Sequence, residues 1–413
     1  MSLTLCAIAG CQAPAHTPAP QPQQSPHAAA QPPGTGHPPD APIADWQTEL
    51  LDLSFEAASR MPIVIHLKNR SRAQYRVIQA ALQLDQPSRA LTYSQGIDNW
   101  QRGAAAADYA LYAATQGHAD PIDQQLLIAE ATAKLATQDW QRQYIDMIAA
   151  RTQLVLGQQQ AAREFRNQPI DNLYEGALDI TEASLSTNDA FDQIVARLDT
   201  LLASQRYEAI INGAQAYAEL FGKHYKNTER RALIEDKLRA AYQHMPGPET
   251  IDLLLSLSRV AIDHNDHDTA SRLLDDAQQI TEQAAWPTGT QYRYQFVSRI
   301  AQARHDIHQT STAHQLLQQL IDQYNQDEEQ IVNITRADAI RAIAEGYARL
   351  GEKDQARNLY LRALEQGFVN PNSRPRADDL IDTCLSMAAA NVEPNDEIWQ
   401  RVRDQHARLG PPW

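Results

Sequence analysis

Between Arg336 and Gln366 apolar side chains recur three and four positions apart: Ile340, Ile343, Ala344 and Tyr347, then, beyond Gly351, Ala356, Tyr360 and Ala363. That spacing puts one apolar stripe on each of two helices, and Gly351 falls where the first must stop. A helix pair of this size cannot bury its own stripe and needs a neighbour. Ala313, in TSTAHQLLQQLIDQ, stands 43 residues before Ala356, and Ala270, in DHDTASRLLDDAQQI, a further 43 before that. Recurrence at this period predicts stacked helix pairs.

Fainter pairs continue upstream. Ala209, Ala161 with Ala162, and Ala90 each follow a turn and open an apolar-periodic helix, with amphipathic segments at 104–117 and 123–136 between them. Ile63, Val64 and Ile65 form the main β-branched cluster, and three residues after a proline are too few to carry a sheet. The periodicity predicts roughly eighteen helices from Ala44 to the C-terminus. An all-α globule with accidental spacing is the alternative.

The best unit resembles the tetratricopeptide repeat. With Ala356 as the alanine where the two helices cross, Ile340 falls on the family's Trp position, Ile343 and Ala344 on its Leu-Gly pair, Tyr347 on its Tyr, Tyr360 on its Phe and Ala363 on its second Ala. Around Ala313, Val297, Ile300, Ala301, Leu317 and Leu320 fit while Arg304 stands on the Tyr position; around Ala270, Leu254, Leu257, Leu274 and Ala277 fit, with Ser258 and Ala261 as small substitutes. Phe368 stands where the family closes with Pro, and the period exceeds the usual 34 or so. The resemblance implies an all-α, right-handed superhelical solenoid of antiparallel helix pairs over residues 44–413. It also implies a concave groove for a protein or peptide partner, lined by the first helix of each pair. Its lining positions are Asp338, Arg341, Glu345 and Ala348 on one unit and Gln295, Ser298, Gln302 and His305 on the previous one. These are expected to face solvent. They do not supply the Lys and Asn set with which some members clamp an acidic peptide terminus.

The N-terminal end carries a separate signal. Residues 3–10 are an apolar run, and Ile8-Ala9-Gly10-Cys11 resembles the lipobox of bacterial lipoproteins, which implies that Cys11 is acylated and becomes the new N-terminus. Only Met1 and Ser2 precede the run, so the positive start of an ordinary signal peptide is missing and residues 1–11 read as a truncated one. From Gln12 to Pro42 the chain holds ten of its 22 prolines, one acid (Asp40) and neither Lys nor Arg. Such a segment buries too little to fold, so residues 12–43 are expected to be a disordered spacer reaching up to about 90 Å.

Charge removes further possibilities. A net charge of −15 disfavours nucleic acid, which requires a basic face. The densest basic stretch, Lys68 to Arg76, reads as a solvated helix face. There is no apolar run of 18 residues, so membrane attachment would be by lipid. Cys6 would leave with the signal and Cys11 would be acylated, leaving Cys384, among apolar residues at helical spacing, as a small buried hydrophobe. The HExxH, GxSxG, P-loop and GxGxxG patterns do not occur. His264 and His267 with Asp263, Asp266 and Asp268, and His305, His308 and His314 one unit later, could converge on a metal, but such turns favour these residues for capping and solvation. No cofactor is expected. The sequence thus points to a lipid-anchored scaffold of a bacterial cell envelope. A cytoplasmic adaptor and an α/α-toroid enzyme acting on polysaccharide are the alternatives, the latter disfavoured because Trp46, Trp100, Trp140, Trp286, Trp399 and Trp413 are scattered along the chain.

Overall fold

Five times along the chain a buried alanine follows, by five residues, a residue of positive φ: Asp85 before Ala90, Gly157 before Ala162, Asn265 before Ala270, His308 before Ala313 and Gly351 before Ala356. At each of these turns the next N–H donates across the helix end, from Gln86 to Ala81, Gln158 to Gln153, Asp266 to Ala261, Gln309 to Arg304 and Glu352 to Tyr347, at 2.8–2.9 Å. This is the capping that satisfies the last carbonyls of one helix before the next one starts. The alanines are at most 1 % exposed, as close helix approach requires. Ala209 does not share this role, because it opens a helix of the other series.

In the computed structural model the described residues are 36–413 without 168–173, 175, 205 and 288–289, and Cys11 with most of the Pro-rich segment lies outside them. The described residues hold nineteen α-helices and no strand. The first ten are α1 (Asp45–Ser59), α2 (Ile63–Gln83), α3 (Pro87–Ser94), α4 (Gln101–Thr115), α5 (Ile122–Leu135), α6 (Asp139–Val155), α7 (Gln159–Arg166), α8 (Ala177–Ser184), α9 (Phe191–Ala203) and α10 (Tyr207–Lys223). The rest are α11 (Thr228–Tyr242), α12 (Gly247–Asp263), α13 (His267–Gln283), α14 (Tyr292–Asp306), α15 (Thr310–Asp327), α16 (Asn333–Arg349), α17 (Lys353–Phe368), α18 (Ser373–Ala389) and α19 (Asp396–Ala407).

Each even-numbered helix from α2 onward packs on the next even one, as far as α18, and α18 packs in turn on α1 and α2. In a solenoid each unit touches only its neighbours and the two ends stay apart. Here the helix contacts form a closed circuit. At the seam Gln47 donates to the Ala388 carbonyl at 2.8 Å, Arg76 meets Asp378 at 2.8 Å and Asp382 at 3.2 Å, Arg403 meets Glu49 at 2.8 Å, and Arg60 donates to the His406 carbonyl. The apolar core follows the same path. One continuous cluster joins Leu50 through Leu178 with Tyr294 through Leu409, and a second fills the arc from Ala183 to Ile307.

The odd residue of the repeat pattern is accommodated by a partner. Arg304, which replaces the expected Tyr, is 5 % exposed and reaches Asp275 of α13 at 2.6 Å and Gln309 at 2.9 Å. A buried cation is tolerated there because its charge is met by Asp275 and its two terminal nitrogens are hydrogen-bonded.

Candidate functional site

The residues expected to line the groove sit on α14 and α16, two even helices that pack on each other. Gly346 permits that approach: a Cβ there would lie 2.5 Å from Leu317 Cδ2 and 2.7 Å from Ser298 Oγ. Ser298 is 1 % exposed, and its hydroxyl donates to the Ala342 carbonyl of α16. It is therefore a spacer between two helices and not a surface donor. Gln295 and Gln302 are half-buried, and Gln302 reaches Ser298 Oγ at 3.5 Å.

The expectation that Arg341 and Glu345 face solvent is corrected. Only 13 % of the Arg341 side chain is exposed, and its guanidinium pairs with Asp338 at 2.5 Å, one helical turn away. Glu345 accepts a 2.6 Å hydrogen bond from the Ser386 hydroxyl, which also meets the Tyr360 hydroxyl at 2.8 Å. The next even helix, α18, explains the difference, because it packs on this face of α16 and brings Asp379, Asp382 and Ser386 against it. Both side chains belong to a half-enclosed polar cluster with Asp338, Asp378, Asp379, Asp382 and Arg76.

Carboxylates outnumber guanidiniums in this cluster, and the charges respond accordingly. Burial opposes the charge on Arg341, but Asp338, Asp382, Glu345 and Asp379 outweigh it and hold the guanidinium protonated. Burial raises the Glu345 carboxyl, only partly offset by the Ser386 hydroxyl and Arg341. Burial and then the Asp338 charge push Asp379 well above the usual carboxylate range. Such a raised acid favours its neutral form in the folded chain, so folding takes up a proton. Its stabilising effect is complete below about pH 4 and is lost as pH rises through the raised value. Asp379→Asn should consequently leave stability at pH 4 unchanged and raise the melting temperature at pH 7. Thermal melts at the two pH values check this, and an equal effect at both would contradict the assignment.

Arg76 was missed as a member of the cluster, although the sequence holds a clue. Asp378 and Asp382 lie four apart on one face of α18, a like-charge pair that is unfavourable unless a cation spans it. Nothing in the sequence says that the cation comes from α2.

The histidine turns serve the fold. Asp266 caps α13 through the Thr269 N–H at 3.0 Å and pairs with Arg231 at 3.2 Å; His264 stacks on Tyr225; His308 takes the left-handed turn position and packs its ring against His267; His314 meets Glu352. Among the described residues no three His, Cys, Asp or Glu side chains are placed to hold a metal ion. Cys384 is fully buried at the seam, where burial raises its thiol to about 12 and Ser54 is its hydrogen-bond neighbour. That keeps it protonated and unreactive.

The tryptophans are not all scattered. Trp100 and Trp140 meet edge to face with centroids 5.2 Å apart, and Tyr144 packs edge-on against Trp100 at 5.9 Å. Tyr144 also lies 3.3 Å from the Tyr75 hydroxyl, which donates to Asp108. No protein-family model matches the chain, and neither a curated protein nor a solved structure does.

Proposed function

We propose that the chain is a helical-repeat scaffold, built of antiparallel pairs in a right-handed superhelical course, tethered to a bacterial envelope membrane through an acylated Cys11 and binding a protein or peptide partner. The recurrence of one turn and one buried alanine at five places carries this reading. Register supports the antiparallel pairing. Asp252 with Arg299 and Arg259 with Asp306 join α12 to α14 at the same offset of 47 residues, and Ser298 with Ala342 and Asp306 with Arg349 join α14 to α16 at 44 and 43. Helices that keep one offset along their length run the same way, which requires the odd helix between them to return.

Of the expected lining positions, Gln295 and Gln302 keep part of their surface open to a partner, and the binding contribution is assigned to them ahead of Arg341 and Glu345. Distributed contacts predict that Gln295→Arg with Gln302→Arg reduces capture of a partner from detergent-solubilised envelopes in a graded way, with the circular dichroism spectrum unchanged. Unaltered capture of every protein would count against the scaffold. The tether has its own test. Cys11→Ser, expressed behind a complete signal, should move the protein from membranes washed at high salt, which removes charge-dependent contacts, to the soluble fraction, because stable attachment takes more than one acyl chain's affinity of about 10⁴ M⁻¹. Identical fractionation of the two forms would remove the anchor from the proposal.

The closed circuit of helices favours a second reading, an α/α-toroid enzyme acting on envelope polysaccharide, with Trp100 and Trp140 beside the Tyr75–Asp108 pair as its aromatic and acidic elements. Turnover of such a polymer that Asp108→Asn abolishes would carry that reading instead.

A further inference from the structure

Three consecutive aliphatic side chains stand in solvent at the start of α2: Ile63 is 47 % exposed, Val64 97 % and Ile65 77 %. The helix is kinked directly after them, at His66 (φ −121°, ψ 21°), which turns this first stretch away from the helix behind it. The base of the tip is fixed. Met61 is fully buried, and Arg70 donates to the Ser59 and Met61 carbonyls at 2.6 and 3.3 Å.

Charge around the tip runs against the rest of the protein. In a chain of net charge −15 no acid occurs from Ala57 to Leu84, a stretch that holds Arg60, Lys68, Arg70, Arg72 and Arg76. Among the described residues only Arg76 of these five is paired with carboxylates. Arg60 and Arg70 donate to uncharged carbonyls, and Lys68 and Arg72 are exposed. A convex aliphatic tip ringed by uncompensated cations is the chemistry of an interfacial membrane contact.

We propose that Ile63–Arg72 docks on the surface of an anionic phospholipid bilayer, the aliphatic trio entering the headgroup boundary while Lys68 and Arg72 meet phosphates. Two features select this occupant. A protein hot spot centres on an aromatic or Arg anchor seated in a pocket, whereas this tip protrudes and is aliphatic. A second copy of the chain meeting it about a two-fold axis would bring like cations together. The contact does not depend on acylation of Cys11; with an acyl chain present it would be the second attachment that holds one face of the scaffold toward the membrane.

The test uses the full-length chain carrying Cys11→Ser, so that no acyl chain contributes, in co-sedimentation with vesicles of phosphatidylglycerol and phosphatidylethanolamine or of phosphatidylcholine alone. Binding is expected on the anionic vesicles and should fall with added salt. Lys68→Ala with Arg72→Ala should weaken it about 25-fold, from about fivefold for each cation. Val64→Ser with Ile65→Ser should weaken it by roughly tenfold or more, while Leu135→Ser, 82 % exposed and remote in sequence, should leave it unchanged. Equal binding to phosphatidylcholine, or binding indifferent to both pairs, overturns the proposal. So does a dimer in sedimentation equilibrium that Val64→Ser with Ile65→Ser dissolves. Since Cys11 is replaced throughout, failure here leaves the lipid tether untouched, and failure of the tether shows instead in cell fractionation of the wild type.

Discussion

Arg76→Ala should cost about 3 kcal/mol of stability, the low end for breaking a buried ion pair because a quarter of the guanidinium remains exposed. The loss has two sources: Asp378 and Asp382 are left facing each other on α18, and the tie from α2 across the seam disappears. It should also depend on pH. Burial already raises the Asp378 carboxyl, with Arg76 pulling it back down, so removing the cation raises it further. By the linkage sign for a raised acid, the variant is closest to wild type below about pH 4 and falls behind as pH climbs. Urea midpoints at pH 4 and pH 8 measure this, and Arg76→Lys should recover part of the loss by restoring charge without the two-pronged geometry. A pH-independent deficit would mean that Arg76 acts by packing alone.

The second large effect is expected at Gly346. A methyl group there meets Leu317, which has no exposed surface, and the Ser298 oxygen bonded to Ala342, so neither neighbour can move freely. Gly346→Ala should destabilise by about 1–3 kcal/mol, as overpacking of a full core does. Pairing it with Leu317→Ala tests the cause. If the contact is responsible, the double variant loses less than the sum of the single ones, and simple additivity rules the clash out.

The units around Ala270, Ala313 and Ala356 were legible in the sequence because the information is local. A small residue, a turn former five positions earlier and an apolar stripe determine a helix pair over about thirty residues. The placement of Arg341 and Glu345 was not legible in the same way. The repeat resemblance assigns them to a groove-lining face of α16, but whether water reaches that face depends on how tightly the next helix pair packs on it, which small packing differences set. The meeting of Trp100 with Trp140 was hidden for a related reason, since residues forty apart touch only when the helices carrying them are neighbours. Arg304 was visible as a departure from the pattern, whereas its partner Asp275 became evident only from the packing of α13 against α14.

Closure also sets the order in which the molecule can be finished. Helix α1 buries Leu50, Leu51, Ala57 and Ala58, largely against α18, and Gln47 waits for a carbonyl 341 residues further on. At ribosomal rates of about 5–20 residues per second, that partner emerges roughly 20–70 s after α1. For this interval α2 can cover only part of the first helix, and the face that α18 will bury has no partner in the chain. A truncation that stops short of α18 should therefore aggregate even though every helix before it is present.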